Sequence, residues 1–291
     1  MHSDSPLSDD TYCNDLTRRF DRDRYLCTLF ADSDHRPYLL ALYAFNIEIA
    51  GTRETVSQPM IGHMRLKWWY DALDGIYRGQ PPAHQVAVPL SRAVADGRIE
   101  RSMLENLIEA RVADLNDNAP NTLADLIEYA DQTSGALVQM ALSVLGVKGE
   151  GAMKAGHHVG IAYALLGLIR ALPVNISRRY VFLPTEICQR TGLDVGEMLD
   201  RGLKLGPPAE LIEAITHITG CAADHLAQAR KLKKHIPRRG LSAVLPGVIA
   251  GRYLKQLASL GNDPFRIPQR QPGPGVSGML GLAWAAAKGE I

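Results

Sequence analysis

Magnesium is a hard cation that takes oxygen ligands, and a helix offers it two carboxylates on one face when acids stand three or four residues apart. Among the pairs with that spacing are Asp71 with Asp74, Asp114 with Asp117, and Glu128 with Asp131. Such pairs are common on solvated helix faces, and we read them so. Glu54 stands alone. One turn before it is Ala50, its near neighbour Gly51 has no side chain, and Glu48 falls on another face. One carboxylate is a poor magnesium site, so no metal ligand and no catalytic residue is assigned. Guanidinium groups do the opposite work, holding oxyanions through paired N–H donors. Arg53, Arg170, Arg178 and Arg179 are candidates to line an anion pocket. His157 and His158 are adjacent, so on a helix their rings diverge and shared ligation is not expected. There is no His-Glu-x-x-His, no Gly-x-Ser-x-Gly and no P-loop. Cys13, Cys27, Cys188 and Cys221 are scattered without C-x-x-C spacing, which reads as reduced thiols rather than a disulfide frame or zinc site.

The elements that position these residues are helical. Pro37 suits the first position of a helix running to Glu54, and Pro59 opens a second with Met60, Met64, Trp68 and Leu73 near helical spacing. Gly79-Gln80-Pro81-Pro82 ends it. Further helices are expected over 86–95, 101–114, 122–145, 151–172, 208–235 and 241–260. Asn121, Thr122 and Asp125 cap the long one, and Pro173 should break or kink the helix that carries Arg170. Only 179–183 alternates like a strand. Long apolar helices with short connections imply an all-α bundle. We expect one helical domain over 1–265, then a Pro/Gly-rich linker and a short apolar C-terminal helix over 266–291. That last helix carries Trp284 and is suited to packing on the body or touching a membrane.

Composition narrows the partners. The net charge of +1 gives no basic field for nucleic acid. No apolar run reaches the length of a membrane span, and the N-terminus lacks a secretory pattern. The expected location is cytoplasmic, with contact to the inner face of the membrane as a sharper reading. The basic stretch Arg230 to Arg239 reads as a solvated helix end, or as a contact for anionic headgroups.

Several segments carry a resemblance. Ala41-Leu42-Tyr43-Ala44-Phe45 resembles the helix that bears the first Asp-rich motif of squalene/phytoene synthases. Arg170, Arg178 and Phe182-Leu183-Pro184 resemble that family's second motif and the loop after it. Arg65 to Trp69, Tyr129 to Gly135, and Leu245-Pro246 with Tyr253 match other family segments, so the likeness covers roughly residues 20 to 265. It implies an isoprenoid-synthase-type helical bundle around a central cavity, with Tyr43 and Tyr129 beside the arginines in the ligand pocket. It also implies acids that hold magnesium against a substrate diphosphate. Here those positions read Ala50 and Gly51 in the first motif, where only Glu54 keeps a carboxylate, and Ala171, Val174 and Asn175 in the second. Glu109, Asp114 and Asp117 make the best spare acidic cluster, since the family has an acid near Asp114.

The segments 44–50, 64–69 and 178–184 look like the squalene/phytoene-synthase-like assembly factors of respiratory complex I. That resemblance implies a non-catalytic factor supporting complex I assembly, with complex I subunits or intermediates as partners, no cofactor, and an isoprenoid or lipid-phosphate ligand. The alternative is an active head-to-head prenyltransferase using Mg2+. A third reading is a lipid-binding helical module unrelated to respiration.

Overall fold

The computed structural model describes residues 9–56, 58–116, 118–202, 206–267 and 276–291, and Asp117 lies outside them. The described residues form an all-α bundle without strands. Its N-terminal half contains α1 (Asp9–Phe20), α2 (Arg22–Thr28), α3 (Arg36–Ala50), α4 (Thr52–Thr55), α5 (Pro59–Tyr77), α6 (Ala87–Val94) and α7 (Arg101–Val112). Then come α8 (Leu123–Ala130), α9 (Ala136–Val144), α10 (Glu150–Ser177), α11 (Thr185–Thr191) and α12 (Val195–Arg201). The chain ends with α13 (Ala209–Lys231), α14 (Leu241–Val244), α15 (Pro246–Ser259) and α16 (Val276–Lys288). Sequence patterning missed α1 and α2 altogether.

Local chemistry explains most boundaries. Proline stands in the first turn of α3, α5 and α15, where its missing N–H costs nothing. Thr122 and Asp125 close a reciprocal capping box at the start of α8. Three expectations are corrected. The helix from Pro37 stops at Ala50 instead of reaching Glu54: the Gly51 N–H bonds Ile47 O, and the chain restarts as α4. Pro173 does not end α10, which runs on to Ser177, because the bond it forgoes lies only in the last turns. Residues 179–183 pair with no strand; Arg179 turns with φ +58° and the chain runs on without regular structure to α11.

The long helix expected over 122–145 is interrupted by a π turn at Asp131–Gly135. This turn packs against α10 so closely that a Cβ on Gly160 would come within 2.5 Å of Ser134 O. A π turn at such a crossing is a frequent companion of functional sites.

Two apolar cores lie side by side. One joins α1, α3, α5, α6, α7 and α9; the other joins α8, α11, α13 and α15; α10 contributes to both. This central helix is long and apolar enough to cross a membrane by length and composition, contrary to the expectation from sequence, but half of its apolar window is buried within the bundle. Helix α16 packs on the body through Leu282 and Ala285, which meet Leu26, Cys27 and Leu245. Burial of Leu282 alone contributes about 1.5–3 kcal/mol to that contact. Leu280 and Trp284 on the same helix stay exposed. Residues 268–275, most of the linker expected from sequence, lie outside the described residues. The basic stretch is partly committed to this end of the chain: Arg230 Nε donates to Ile291 O (3.1 Å) and Lys233 pairs with Glu290 (2.8 Å).

Candidate functional site

The two altered motifs meet at one cleft. Arg53 and Glu54 from α4 face Asn175 near the end of α10, with Arg178 and Tyr180 beyond it; Gln58, Pro59 and Leu115 complete the wall. The cleft encloses about 440 Å³. The Arg53 guanidinium lies 3.8 Å from the centre of the Tyr180 ring, a contact that holds it flat against the wall. Tyr180 stacks on Phe182 (6.1 Å), which meets Tyr129 (5.2 Å). An aromatic ladder therefore connects the cleft to the interior.

At the inner end of that ladder, Tyr129 Oη accepts from Arg111 (2.8 Å), and Arg111 pairs with Asp114 (3.2 Å). Burial is the main reason the Tyr129 hydroxyl is held above its usual pKa, so it stays protonated.

A second polar cluster, absent from the sequence reading, sits where α2 crosses α10. Asp21 caps α2 and pairs with Arg24 at 2.7 Å, both side chains being buried. Arg24 also donates to Ser134 in the π turn (3.0 Å) and lies over the rings of Tyr163 and Tyr43. Asp23 accepts from the Tyr163 hydroxyl (3.2 Å) and from Arg170 (2.9 Å). Burial pulls the Arg24 pKa down, but Asp21 and Tyr163 outweigh it and the guanidinium stays charged. Tyr163 is pushed well up, first by burial and then by Asp23. Arg24 Nε and Arg111 Nε are buried without a hydrogen-bond partner, so both clusters are tightly packed and not fully satisfied.

The candidates from sequence divide accordingly. Arg53, Glu54, Asn175 and Arg178 converge on the cleft. Ala50, Gly51, Ala171 and Val174 do not line it. Tyr43 and Arg170 belong to the buried cluster around Asp21, Asp23 and Arg24, and Tyr129 to the pair with Arg111. Arg179 turns away to Asp200 (2.8 Å) and the Leu199 carbonyl. The spare acids are engaged elsewhere: Asp71 with Lys67, Asp74 with Arg101, Glu109 with the Tyr70 hydroxyl, and Glu128 with Gln132. Glu48 accepts from Tyr12.

Magnesium does not fit this cleft. Glu54 is the one carboxylate among its lining residues, and two guanidiniums stand beside it. Asn175 adds a single neutral oxygen. An oxyanion fits better, since Arg53 and Arg178 supply planar N–H donors.

This bundle, with its two altered motifs facing one cleft, is of the isoprenoid-synthase type. The sequence profile of the squalene/phytoene synthase family matches residues 17–274, and the chain belongs to that family. Among curated relatives, NADH dehydrogenase (ubiquinone) complex I, assembly factor 6 of Bos taurus is 33% identical over 260 residues, covering 88% of this chain and 76% of that protein. The Homo sapiens protein of the same name is also 33% identical, over 256 residues. Phytoene synthase of Mycobacterium bovis is more distant, at 23% over 256 residues, with 88% and 83% covered. Of solved structures, a dehydrosqualene synthase in complex with ligand superposes with a TM-score of 0.80 at 15% identity, covering 96% of this chain and 95% of that one. The squalene synthase HpnC of Alicyclobacillus acidocaldarius gives 0.77 at 17%, with 88% and 95% covered.

Proposed function

We propose that this chain is a non-catalytic squalene/phytoene-synthase-like protein that supports assembly of respiratory complex I. It holds an isoprenoid or lipid phosphate in its cleft without turning it over, and needs no cofactor. One observation carries the reading: Glu54 is the one acid lining the cleft, beside Arg53 and Arg178, while Arg170 of the second motif is held by Asp23 at 2.9 Å. A cleft with Glu54 as its one lining acid suits an anion bound by arginines. The names of the 33% identical relatives support the assembly role.

The chain works in the cytoplasm against the inner face of the membrane, in this proposal. Leu280 and Trp284 are exposed on α16, and Arg252 and Lys255 line a hollow beside Trp284. Apolar side chains beside basic ones suit an anionic bilayer surface. Deleting the gene is expected to lower complex I level and activity, and the intact chain should restore both. Complementation with Leu280→Ser and Trp284→Ser together should restore less and leave more of the protein in the soluble fraction. Normal complex I in the deletion removes the assembly role; an intact chain found wholly in the soluble fraction removes the membrane contact.

The ligand is tested separately. Farnesyl monophosphate, titrated calorimetrically without magnesium, is expected to bind. Arg53→Ala or Arg178→Ala should weaken it about tenfold or more, since a hydrogen bond to a charged group is worth roughly 1.5–3 kcal/mol. Equal heats from both variants and the intact protein would place the anion elsewhere.

A further inference from the structure

Among the described residues, four large apolar side chains stay in water on a single helix. Met60, Ile61, Met64 and Trp68 of α5 are 72%, 42%, 67% and 39% exposed. Met60, Met64 and Trp68 follow one another at four-residue steps, with Ile61 beside them, and make a stripe about 12 Å long. The other face of α5 is the one that packs, since Gly62, Leu66, Trp69 and Leu73 are buried. The helix therefore already has its core-facing side, and the stripe is a second apolar face without a covering inside the bundle. Trp68 is fixed in place there, its ring centre 5.0 Å from that of Trp69 and 4.9 Å from that of His84.

Two features say what covers this face. Its margins are basic: on the helical wheel His63 and Lys67 lie to one side of the stripe and Arg65 to the other, all three exposed. Lys67 answers Asp71 at 2.6 Å where the stripe ends, while Arg65 donates to the neutral Thr55 hydroxyl at 2.6 Å. An apolar centre carrying a Trp between basic margins is the pattern of a helix seated among anionic headgroups. The second feature is position. Pro59, the first residue of α5, and Gln58 before it line the cleft with Arg53 and Arg178. The bond from Arg65 to Thr55 ties the margin of the stripe to α4, which carries Arg53 and Glu54. A lipid phosphate stands at the bilayer surface with its tail inside. A mouth that opens beside a membrane-seated helix takes up that phosphate while the tail stays out of water. A second copy or a partner helix would cover the stripe equally well, but neither gives a reason for its place at the mouth.

We propose that the outer face of α5 is a docking surface for an anionic phospholipid bilayer, seated so that a lipid phosphate passes from the headgroup layer into the cleft. Met60, Met64 and Trp68 enter the acyl boundary, and Arg65 and Lys67 stay among the phosphates. The choice of a bilayer as the occupant rests on the reading of the cleft as a phosphate site. The surface is separate from the contact made by Leu280 and Trp284 on α16.

Tryptophan fluorescence tests this surface by itself. Trp69 is buried, so in the full-length chain with Trp284→Phe a change of emission on adding vesicles reports Trp68, while a phenyl ring keeps the α16 contact apolar. Vesicles of phosphatidylcholine and phosphatidylglycerol with brominated acyl chains are expected to quench that emission, and adding Trp68→Phe should remove the quenching. Met60→Ser with Met64→Ser should weaken co-sedimentation with unbrominated vesicles of the same lipids about tenfold or more. Arg65→Gln should weaken it about fivefold, with no effect on phosphatidylcholine alone. Circular dichroism establishes that each variant is folded; both methionines are exposed, so their change leaves the core intact. Vesicle-bound protein with Trp68 unquenched overturns the proposal and leaves α16 as the contact. A dimer of the intact chain that dissociates in Met60→Ser with Met64→Ser, without vesicle binding, overturns it in favour of a second copy. Farnesyl monophosphate failing to bind while Trp68 is quenched removes the cleft reading and leaves the docking surface standing.

Discussion

Incubated with Mg2+ and farnesyl or geranylgeranyl diphosphate, the purified chain is expected to release no squalene- or phytoene-like product. Ionising an allylic diphosphate leaves the charge of a departing pyrophosphate to be stabilised by metal ions and fixed cations. Losing a single group of that kind costs about 10²–10³ in rate where it has been measured. Here Ala50, Gly51 and Ala171 all lack the oxygen that the family's chemistry requires, and the cleft lining retains one acid, Glu54. Arg170 compounds the loss because Asp23 and Tyr163 already surround it. A triple variant separates these two causes. Ala50→Asp, Gly51→Asp and Ala171→Asp together restore the carboxylates. At Gly51 the backbone angle φ −76° is open to any residue, but a Cβ there would stand 3.1 Å from Ile47 O, so that backbone must give by a few tenths of an ångström. Calorimetry should then show magnesium-dependent binding of farnesyl diphosphate, absent in the natural chain. Product should still not form while Asp23 holds Arg170. Clear product from the natural chain sinks the non-catalytic reading. Product from the triple variant would show that the acids were all that was missing.

The parts of this architecture that the sequence disclosed are those governed by local rules. Proline at a first turn, a Thr/Asp capping box and long apolar periodicity located α3, α5, α8 and α10 within a few residues. The meeting of Glu54 with Asn175 was legible too, because both positions belong to motifs whose resemblance to a known family fixes them around one ligand. What stayed hidden depends on distant packing. Asp21, Asp23 and Arg24 read as an ordinary alternation of charges, and such runs are usually solvated. Only the fold brings Asp23 to Arg170, 147 residues away, and so removes that arginine from the anion pocket to which sequence assigned it. Gly51 and Pro173 failed in opposite directions for one reason: intrinsic propensity is a weak prior, and a break forms only where the surroundings take up the freed backbone groups. Beside Gly51, Thr52 and Thr55 do so, their hydroxyls donating to the Glu48 and Gly51 carbonyls.

The same buried cluster that silences Arg170 is expected to be a main support of the fold, and Arg24→Ala should destabilise the protein by about 3–5 kcal/mol, the cost of removing one partner from a buried ion pair. Asp21 would be left with its charge in the interior, and Ser134 would lose its donor at the π turn. The Arg24 and Asp21 side chains are only 8% and 11% exposed, so water cannot replace the missing guanidinium cheaply. Arg170→Ala is the contrasting case. Its side chain is 48% exposed, so water can reach the gap it leaves, and the buried Asp23 keeps the Tyr163 hydroxyl as a donor; a smaller loss than for Arg24→Ala is expected despite a similar ion-pair distance. Urea unfolding followed by circular dichroism measures both. The double variant Asp21→Ala with Arg24→Ala should recover much of the stability lost in Arg24→Ala alone, because it no longer strands a charge. Equal midpoints for Arg24→Ala and Arg170→Ala would mean that the seam between α2 and α10 is held by its apolar contacts, with the ion pairs incidental. The expected ordering, Arg24 far above Arg170, instead makes the fold depend on the buried Asp21–Arg24 pair and its contact with Ser134 at the π turn.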